Sequence, residues 1–475
     1  MNGRTPMEKH LLLGNGINIQ FGGAAYSSEF ILKRIKYNSR LGKYDTLFGD
    51  RLTGKEIESV FESFVGIANG IIENEYKNIT DDLYTNEAIK DFQNRYIKRI
   101  NLPHEVMLED WMLLVRVFFL INCDLMQNND SVVQGFEQLL FDAIYNDGMI
   151  QEIYHNMNKK VKRFLNGFNK IFTLNYDNNI EQLIHKKVYH LHGDFSVLAN
   201  SENEENVLGY IRTKEGKTVW SPKKKHCYCN GLLNYSGRLK YRVAEERHKA
   251  IVESEQYLDR YQQNPAFIDT ISKLNPLIGQ IIRTKIEHPE LKIATEYYFY
   301  EFKEITGQLE IVGMSPNNDA HIFDLILNNN NITKVVFYYF SEKERKYIEE
   351  NYPKKLFKCE SVEELWKSLG CIRKEYNCNH NVPEKGKDII KVLNILADDE
   401  ISFEDIKKKI NQVPRFEMTR LSKAVKEKLQ SMNPEHNSLG VSEFEKENAA
   451  ICHIALQEGI HPSVLYLICV MTYKY

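Results

Sequence analysis

The sequence has no excess of charge of either sign. Its 62 Lys and Arg stand against 65 Asp and Glu, a net charge of −3 over 475 residues, which argues against a protein that grips nucleic acid through bulk charge. The short basic runs Lys223–Lys225 and Lys407–Lys409 read as solvated surface. A dense cysteine framework is also missing. The eight cysteines are scattered, which suits a reduced compartment and excludes a disulfide-stapled scaffold. No apolar run is long enough to span a bilayer. The most apolar stretch, Trp111 to Met126, is interrupted by Arg116 and Asp124 and falls short of the ~20 residues required. Leu11-Leu12-Leu13 is too short for the ~7–15-residue centre of a signal peptide. The expectation is a cytoplasmic protein with neither a membrane nor a nucleic-acid partner, and with no internal repeat or low-complexity segment.

With 43% hydrophobic residues, the chain can bury a large core, and its length suggests two or three domains of ~150 residues. The run Lys9-His10-Leu11-Leu12-Leu13-Gly14-Asn15-Gly16-Ile17-Asn18 reads as a buried strand entering a tight turn. Ser27 or Ser28 then caps a helix through about Tyr37. From about residue 55 to 166 the apolar spacing is helical, in segments Ile57–Tyr76, Glu87–Arg99, His104–Met126, Val132–Asn146 and Ile150–Leu165. Strand character returns at Lys170–Asp177 and Val188–Gly193, while residues 194 to about 290 show no clear pattern. From Leu309 the strands Leu309–Met314, Thr333–Phe340 and Lys355–Cys359 alternate with helices Asp319–Leu327, Glu342–Asn351 and Val362–Leu369. This alternation predicts an α/β fold, a Rossmann-like parallel sheet covered on both faces. A polar linker, Tyr376–Lys387, separates this domain (1–375) from a C-terminal helical domain (383–475).

Ligands of parallel sheets bind beyond the carboxyl ends of the strands. Those ends carry Gly14-Asn15-Gly16-Ile17-Asn18, Thr173 with Asn175-Tyr176-Asp177, His192-Gly193, and Gly313-Met314-Ser315-Pro316-Asn317-Asn318-Asp319. Each has a plain structural explanation: glycine turns, Asn and Asp helix caps, a histidine satisfied in a turn. Their convergence at four strand ends points to a site.

In residue content and in order along the chain, these motifs resemble the sirtuin superfamily, and more closely the sirtuin-like NAD-hydrolysing domains of bacterial anti-phage systems. Thr173-Leu174-Asn175-Tyr176-Asp177 stands where that family has Thr-Gln-Asn-x-Asp, His192-Gly193 where it has His-Gly, and Gly313-Met314-Ser315 where it has Gly-x-Ser. Gly14 to Phe30, closed by Tyr26-Ser27-Ser28-Glu29-Phe30, is similar to the opening of abortive-infection proteins. The motifs cover roughly residues 8 to 345. The paired Cys-x-x-Cys zinc ligands of deacylating sirtuins are missing, Leu174 replaces a ribose-holding Gln, and Asn15 replaces Ala. These departures speak against deacylation and leave NAD cleavage open. His226, Cys227, Cys229, Cys378 and His380 read as scattered structural residues in preference to an unrelated metal site, so no metal is expected.

The resemblance implies that NAD is the substrate and that nicotinamide and ADP-ribose are released. Asn175 would orient ribose and water, Asp177 would meet the carboxamide or leaving group, and His192 would serve as general base. Gly14, Asn15, Gly16, Asn18 and Thr173 would line the pyrophosphate and ribose, with Gly313 and Ser315 on the adenosine side. It also implies homo-oligomers or a sensor partner such as a HerA-type ATPase, an Argonaute-type protein or a phage protein. The alternative is a non-catalytic NAD or ADP-ribose sensor or scaffold. The apolar run Val464–Met471 is expected to dock either on its own bundle or on another subunit.

Overall fold

The structure is a computed structural model that describes residues 7–48, 51–122, 129–196, 209–211, 222–316, 319–371, 386–436 and 443–473. The expected linker lies almost wholly outside them, as do Cys378 and His380. Six strands form one sheet: β1 (Lys9–Leu13), β2 (Lys170–Thr173), β3 (Tyr189–His190), β4 (Gly307–Val312), β5 (Ile332–Tyr339) and β6 (Phe357–Ser361). Their order is β3-β2-β1-β4-β5-β6, and every pairing is parallel. The fold is therefore α/β with a Rossmann-like sheet, whose strand order reverses between β1 and β4. Successive strand residues face opposite sides. Leu11 and Leu13 enter one hydrophobic core and Leu12 the other; Ile171 and Phe172 divide in the same way. Burial on both faces is why these strands read as unbroken apolar runs.

At the reversal point two backbones touch with no side chain between them. Gly16 N donates to Gly313 O at 2.8 Å, and Gly14 N extends the sheet by donating to Val312 O at 3.0 Å. A Cβ on Gly14 would sit 2.5 Å from Gly313 O, and one on Gly16 would sit 2.5 Å from Gly313 Cα. Gly313 itself has φ +73°, a conformation that favours glycine.

The helical insertion between β1 and β2 is present but more divided than its periodicity suggests. Ile57–Tyr76 separates into helices Gly54–Glu62 and Phe64–Ile72, hinged at Ser63, whose hydroxyl donates to Ser59 O, a bond that bends helices. The described part of His104–Met126 holds two short 3-10 turns and a helix over Trp111–Ile121, while residues 123–126 lie outside the described residues. The turn before it is pinned by buried Asp110, which accepts two bonds from Arg95 and one from Tyr96. Ile150–Leu165 becomes a 3-10 segment, Asn146–Asn156, and a helix Lys159–Asn166 capped by Asn158. The unparsed region contains helices Arg238–Gln263, Phe267–Leu274 and Pro276–Glu287. The long first helix buries little beyond Leu239, Lys240, Val243 and Ala244 near its start, so it has no apolar stripe to read.

The expected C-terminal helical domain has helices at Lys387–Ala397, Phe403–Asn411, Arg415–His436, Glu443–Glu458 and Pro462–Tyr473 among its described residues. The apolar run is spent inside this bundle: Val464, Leu465, Leu467 and Ile468 are buried in its core. No single described helix is long and apolar enough to cross a membrane. The bundle is bound to the α/β domain through helix Ser28–Arg40. Arg34, 4% exposed, donates to the carbonyls of Ala25, Ala143 and Leu456, joining the turn after the glycines, the insertion and the bundle. Burial pushes its guanidinium down to about 10.

Two stability predictions follow from this architecture. Gly16→Ala should cost about 2–3 kcal/mol through overpacking at the Gly313 backbone, read as a lower urea midpoint; an unchanged midpoint would reject the close contact. Arg34→Met should leave three buried carbonyls without their donor, costing about 3 kcal/mol or more, and should make the bundle the first segment released by limited proteolysis.

Candidate active site

The carboxyl ends of β1 and β2 are knitted by amides. Thr173 Oγ1 donates to Leu13 O at 3.3 Å and accepts from Asn175 N at 3.1 Å. Asn175, 8% exposed, donates its side-chain amide to Gly14 O at 3.3 Å. Asn18 donates to Asp177 Oδ2 at 2.6 Å, while Asp177 Oδ1 accepts from the main-chain and side-chain nitrogens of Asn179. Burial raises the Asp177 carboxyl above its ordinary range, against these donors. Asn179 continues to Ile150 O and Tyr154 N, so the Asp177 network also secures the 146–156 segment. Asn15 turns aside, donating to Tyr26 O at 2.9 Å. The structure thus brings together Gly14, Asn18, Thr173, Asn175 and Asp177. Gly313 lies against Gly14 and Gly16, and half-buried Ser315 follows it on the same loop.

At the end of β3, two histidines two residues apart behave oppositely. His190 places Nδ1 2.9 Å from Asn175 O and Nε2 2.6 Å from a Glu181 carboxylate oxygen. Both neighbours only accept, so both ring nitrogens carry protons and the ring is an imidazolium. Burial opposes that charge, but Glu181 outweighs it and raises His190 to about 8. His190 was not among the residues expected in the site, yet it holds the main chain of Asn175. His192 is 2% exposed, and burial, with Lys240 and His321 adding to it, depresses its basicity well below the usual range. Its Nδ1 lies 3.4 Å from Lys240 Nζ and its Nε2 3.1 Å from His321 Nε2. Both nitrogens therefore already meet protein groups. Gly193 follows with φ +82°, where a Cβ would lie 2.4 Å from Asn230 O.

Sequence reasoning gave no site role to Lys240, Asp319 or His321, although Asp319 closes the strand-end run from Gly313. Lys240 lies in the unparsed region. Asp319 and His321 open helix Ala320–Asn328 after β4, and the sequence spacing Asp-x-His at a strand end was the available signal. Burial and the nearby Glu109 carboxylate push Asp319 up to about 7, and burial lowers His321 to about 3. Elsewhere, His226 pairs with Asp142 at 3.0 Å and stacks on Tyr145. Lys43 lies 3.0 Å from the other Asp142 oxygen, so this group already has its cation. A further cleft of about 670 Å³, between helix Ser28–Arg40, the 146–156 segment and the bundle, is lined by Lys43, Asp147, Lys428 and His453, among others.

Compared with models of known protein families, with curated proteins and with solved structures, the chain matches none.

The His190–Glu181 pair sets a pH dependence. A group whose basicity is raised by folding stabilises fully below its unfolded value, about 6.5, and that contribution disappears as pH rises through about 8. The protein should therefore lose roughly 1–2 kcal/mol of unfolding free energy across that window. His190→Gln should remove this dependence in denaturant titrations at successive pH values. A profile identical to the parent would show that His190 is not charged in the fold.

Proposed function

We propose that this protein is a sirtuin-like NAD hydrolase that breaks the bond between nicotinamide and ribose C1′. The observation that carries the reading is the placement of Asn175. Its amide is fixed on Gly14 O beside the point where the sheet order reverses, the place where doubly wound sheets bind dinucleotides. Water adds to C1′ as nicotinamide leaves with the bonding pair, giving ADP-ribose and one proton. The transition state carries positive charge on the sugar, so preorganised amides and carboxyls are the groups that stabilise it.

Within this reading the residues divide their work. Asn175 orients the ribose and the attacking water. Gly14 and Gly16 form the turn against which the pyrophosphate would lie; their missing side chains make room for the Gly313 backbone, and their own amides are committed to Val312 and Gly313. Asp177 holds the Asn18 amide, and Ser315 meets the adenosine side. By the same resemblance, the cell would deplete NAD in abortive infection against phage, under the control of a homo-oligomer or a sensor partner.

One observation favours the second reading, a protein that binds NAD or ADP-ribose without cleaving it: both nitrogens of His192 are occupied. The two readings separate in one experiment. Incubation of the full chain with NAD, with and without phage infection of the source cells, should release nicotinamide. Asn175→Ala should lower that release by at least ~10²-fold while leaving the fold intact. Binding without turnover under every condition would select the sensor, and parental turnover by Asn175→Ala would reject the site.

A further inference from the structure

The polar groups beyond β3 and β4 form a line whose proton positions are determined by chemistry. Lys240 is 1% exposed, and its nearest carboxylate oxygen, on Glu109, is 3.9 Å away. An ammonium only donates, so His192 Nδ1 must accept from it. A neutral imidazole that accepts at Nδ1 carries its proton on Nε2, and His192 Nε2 therefore donates to His321 Nε2. His321 must in turn carry its proton on Nδ1. That nitrogen is buried and has no hydrogen-bond partner, in a residue 1% exposed. Asp319 stands close to both rings: one of its oxygens and one nitrogen of each imidazole all lie within 4.8 Å of one another. Although Asp319 is the N-cap of its helix, its side chain makes no capping hydrogen bond.

A buried N–H without an acceptor costs about 1–3 kcal/mol. This N–H and the Asp319 carboxyl, two residues apart in the chain, could share one O–H group, which accepts from the first and donates to the second. A divalent cation would instead sit between the two Nε2 atoms. Each metal-bound imidazole would then turn an N–H outward, and for His192 that N–H would point at the Lys240 ammonium. The lysine therefore disfavours a metal here.

We propose that Asp319 is the proton acceptor of the reaction and that Lys240, His192 and His321 form a fixed donor chain ending at the same hydroxyl. This rests on the NAD-hydrolase reading. The attacking water gives its proton to an Asp319 oxygen while His321 Nδ1–H steadies the water oxygen. The O–C1′ bond forms, the C1′–nicotinamide bond breaks, and the Asp319 proton passes to solvent. His192 and Lys240 are positioning residues. The charged groups facing Asp319 are Glu109, Asp110, Lys240 and Arg95.

The test uses the full chain labelled with ¹⁵N-histidine. Long-range ¹H–¹⁵N spectra should show His192 as the Nε2–H tautomer and His321 as the Nδ1–H tautomer, with resonances assigned by His192→Gln and His321→Gln. Lys240→Met should erase the His192 preference, and Lys240→Arg should keep it. Asp319→Asn should lower kcat for nicotinamide release by ~10²–10⁴-fold with KM little changed and both tautomers retained. A His192 Nδ1–H tautomer, stoichiometric zinc bound through the two histidines, or parental kcat in Asp319→Asn would each overturn the proposal. If the parent releases no nicotinamide, the hydrolase reading and the role of Asp319 fall together, and the tautomers alone decide the donor chain.

Discussion

The contact on which the molecule depends is backbone against backbone: Gly14 and Gly16 of the β1 turn against Gly313 of the β4 turn. A parallel sheet that reverses its order opens a crevice at the reversal, and here the crevice floor is closed by a Gly16–Gly313 hydrogen bond. The glycines therefore have a structural duty before any ligand arrives. They let two turns approach within contact distance, and they leave the edge of the sheet free of side chains. A strand-ending Gly-x-Gly commonly reads as a phosphate cradle, but at this edge the same residues are first required for packing.

Around that floor, the chain uses neutral amides where they can replace charges. Asn15, Asn18, Asn175 and Asn179 each bind a carbonyl or a carboxylate, and an amide is far less costly to bury than an ion. Three of the buried charges among the described residues each fix something. Arg34 satisfies three carbonyls from three segments, His190 is balanced by Glu181, and Lys240 faces an imidazole. This accounts for a near-neutral chain, net −3, that builds a polar interior without surplus Lys or Arg.

The parts of the fold legible in the sequence were those with a strict period. The strands beside the reversal point, the βα alternation from residue 309 onward and the terminal bundle all bury regular faces, and regular burial leaves a regular pattern. Helix ends in the insertion were lost where a side chain overrides periodicity, as Ser63 does on Ser59 O and Asp110 does on Arg95. The half of the candidate site from Gly14 to Asp177, as an arrangement of neighbouring residues, was legible because short motifs at strand ends carry it. Lys240 and His321 were not, since each owes its place to a partner distant in sequence: 48 residues separate Lys240 from His192, and 129 separate His321 from it. No local pattern encodes such a meeting.

The terminal bundle shows how far the support of the site extends. Gly459, with φ +67°, lies so close to Ala24 and Ala25 that a Cβ there would fall 2.2 Å from Ala25 N. The next residue, Tyr26, supplies the carbonyl that receives the Asn15 amide, and Asn15 sits between the two glycines of the floor. Asn146 reaches the same bundle helix, donating to Gln457 O, from the segment that Asn179 ties to Asp177. Two separate routes thus run from the bundle to the two sides of the strand-end network. A helical domain attached only by a linker would leave that network unchanged when removed. This one braces both the turn that carries Asn15 and the segment that Asp177 holds, so the bundle belongs to the structure of the site.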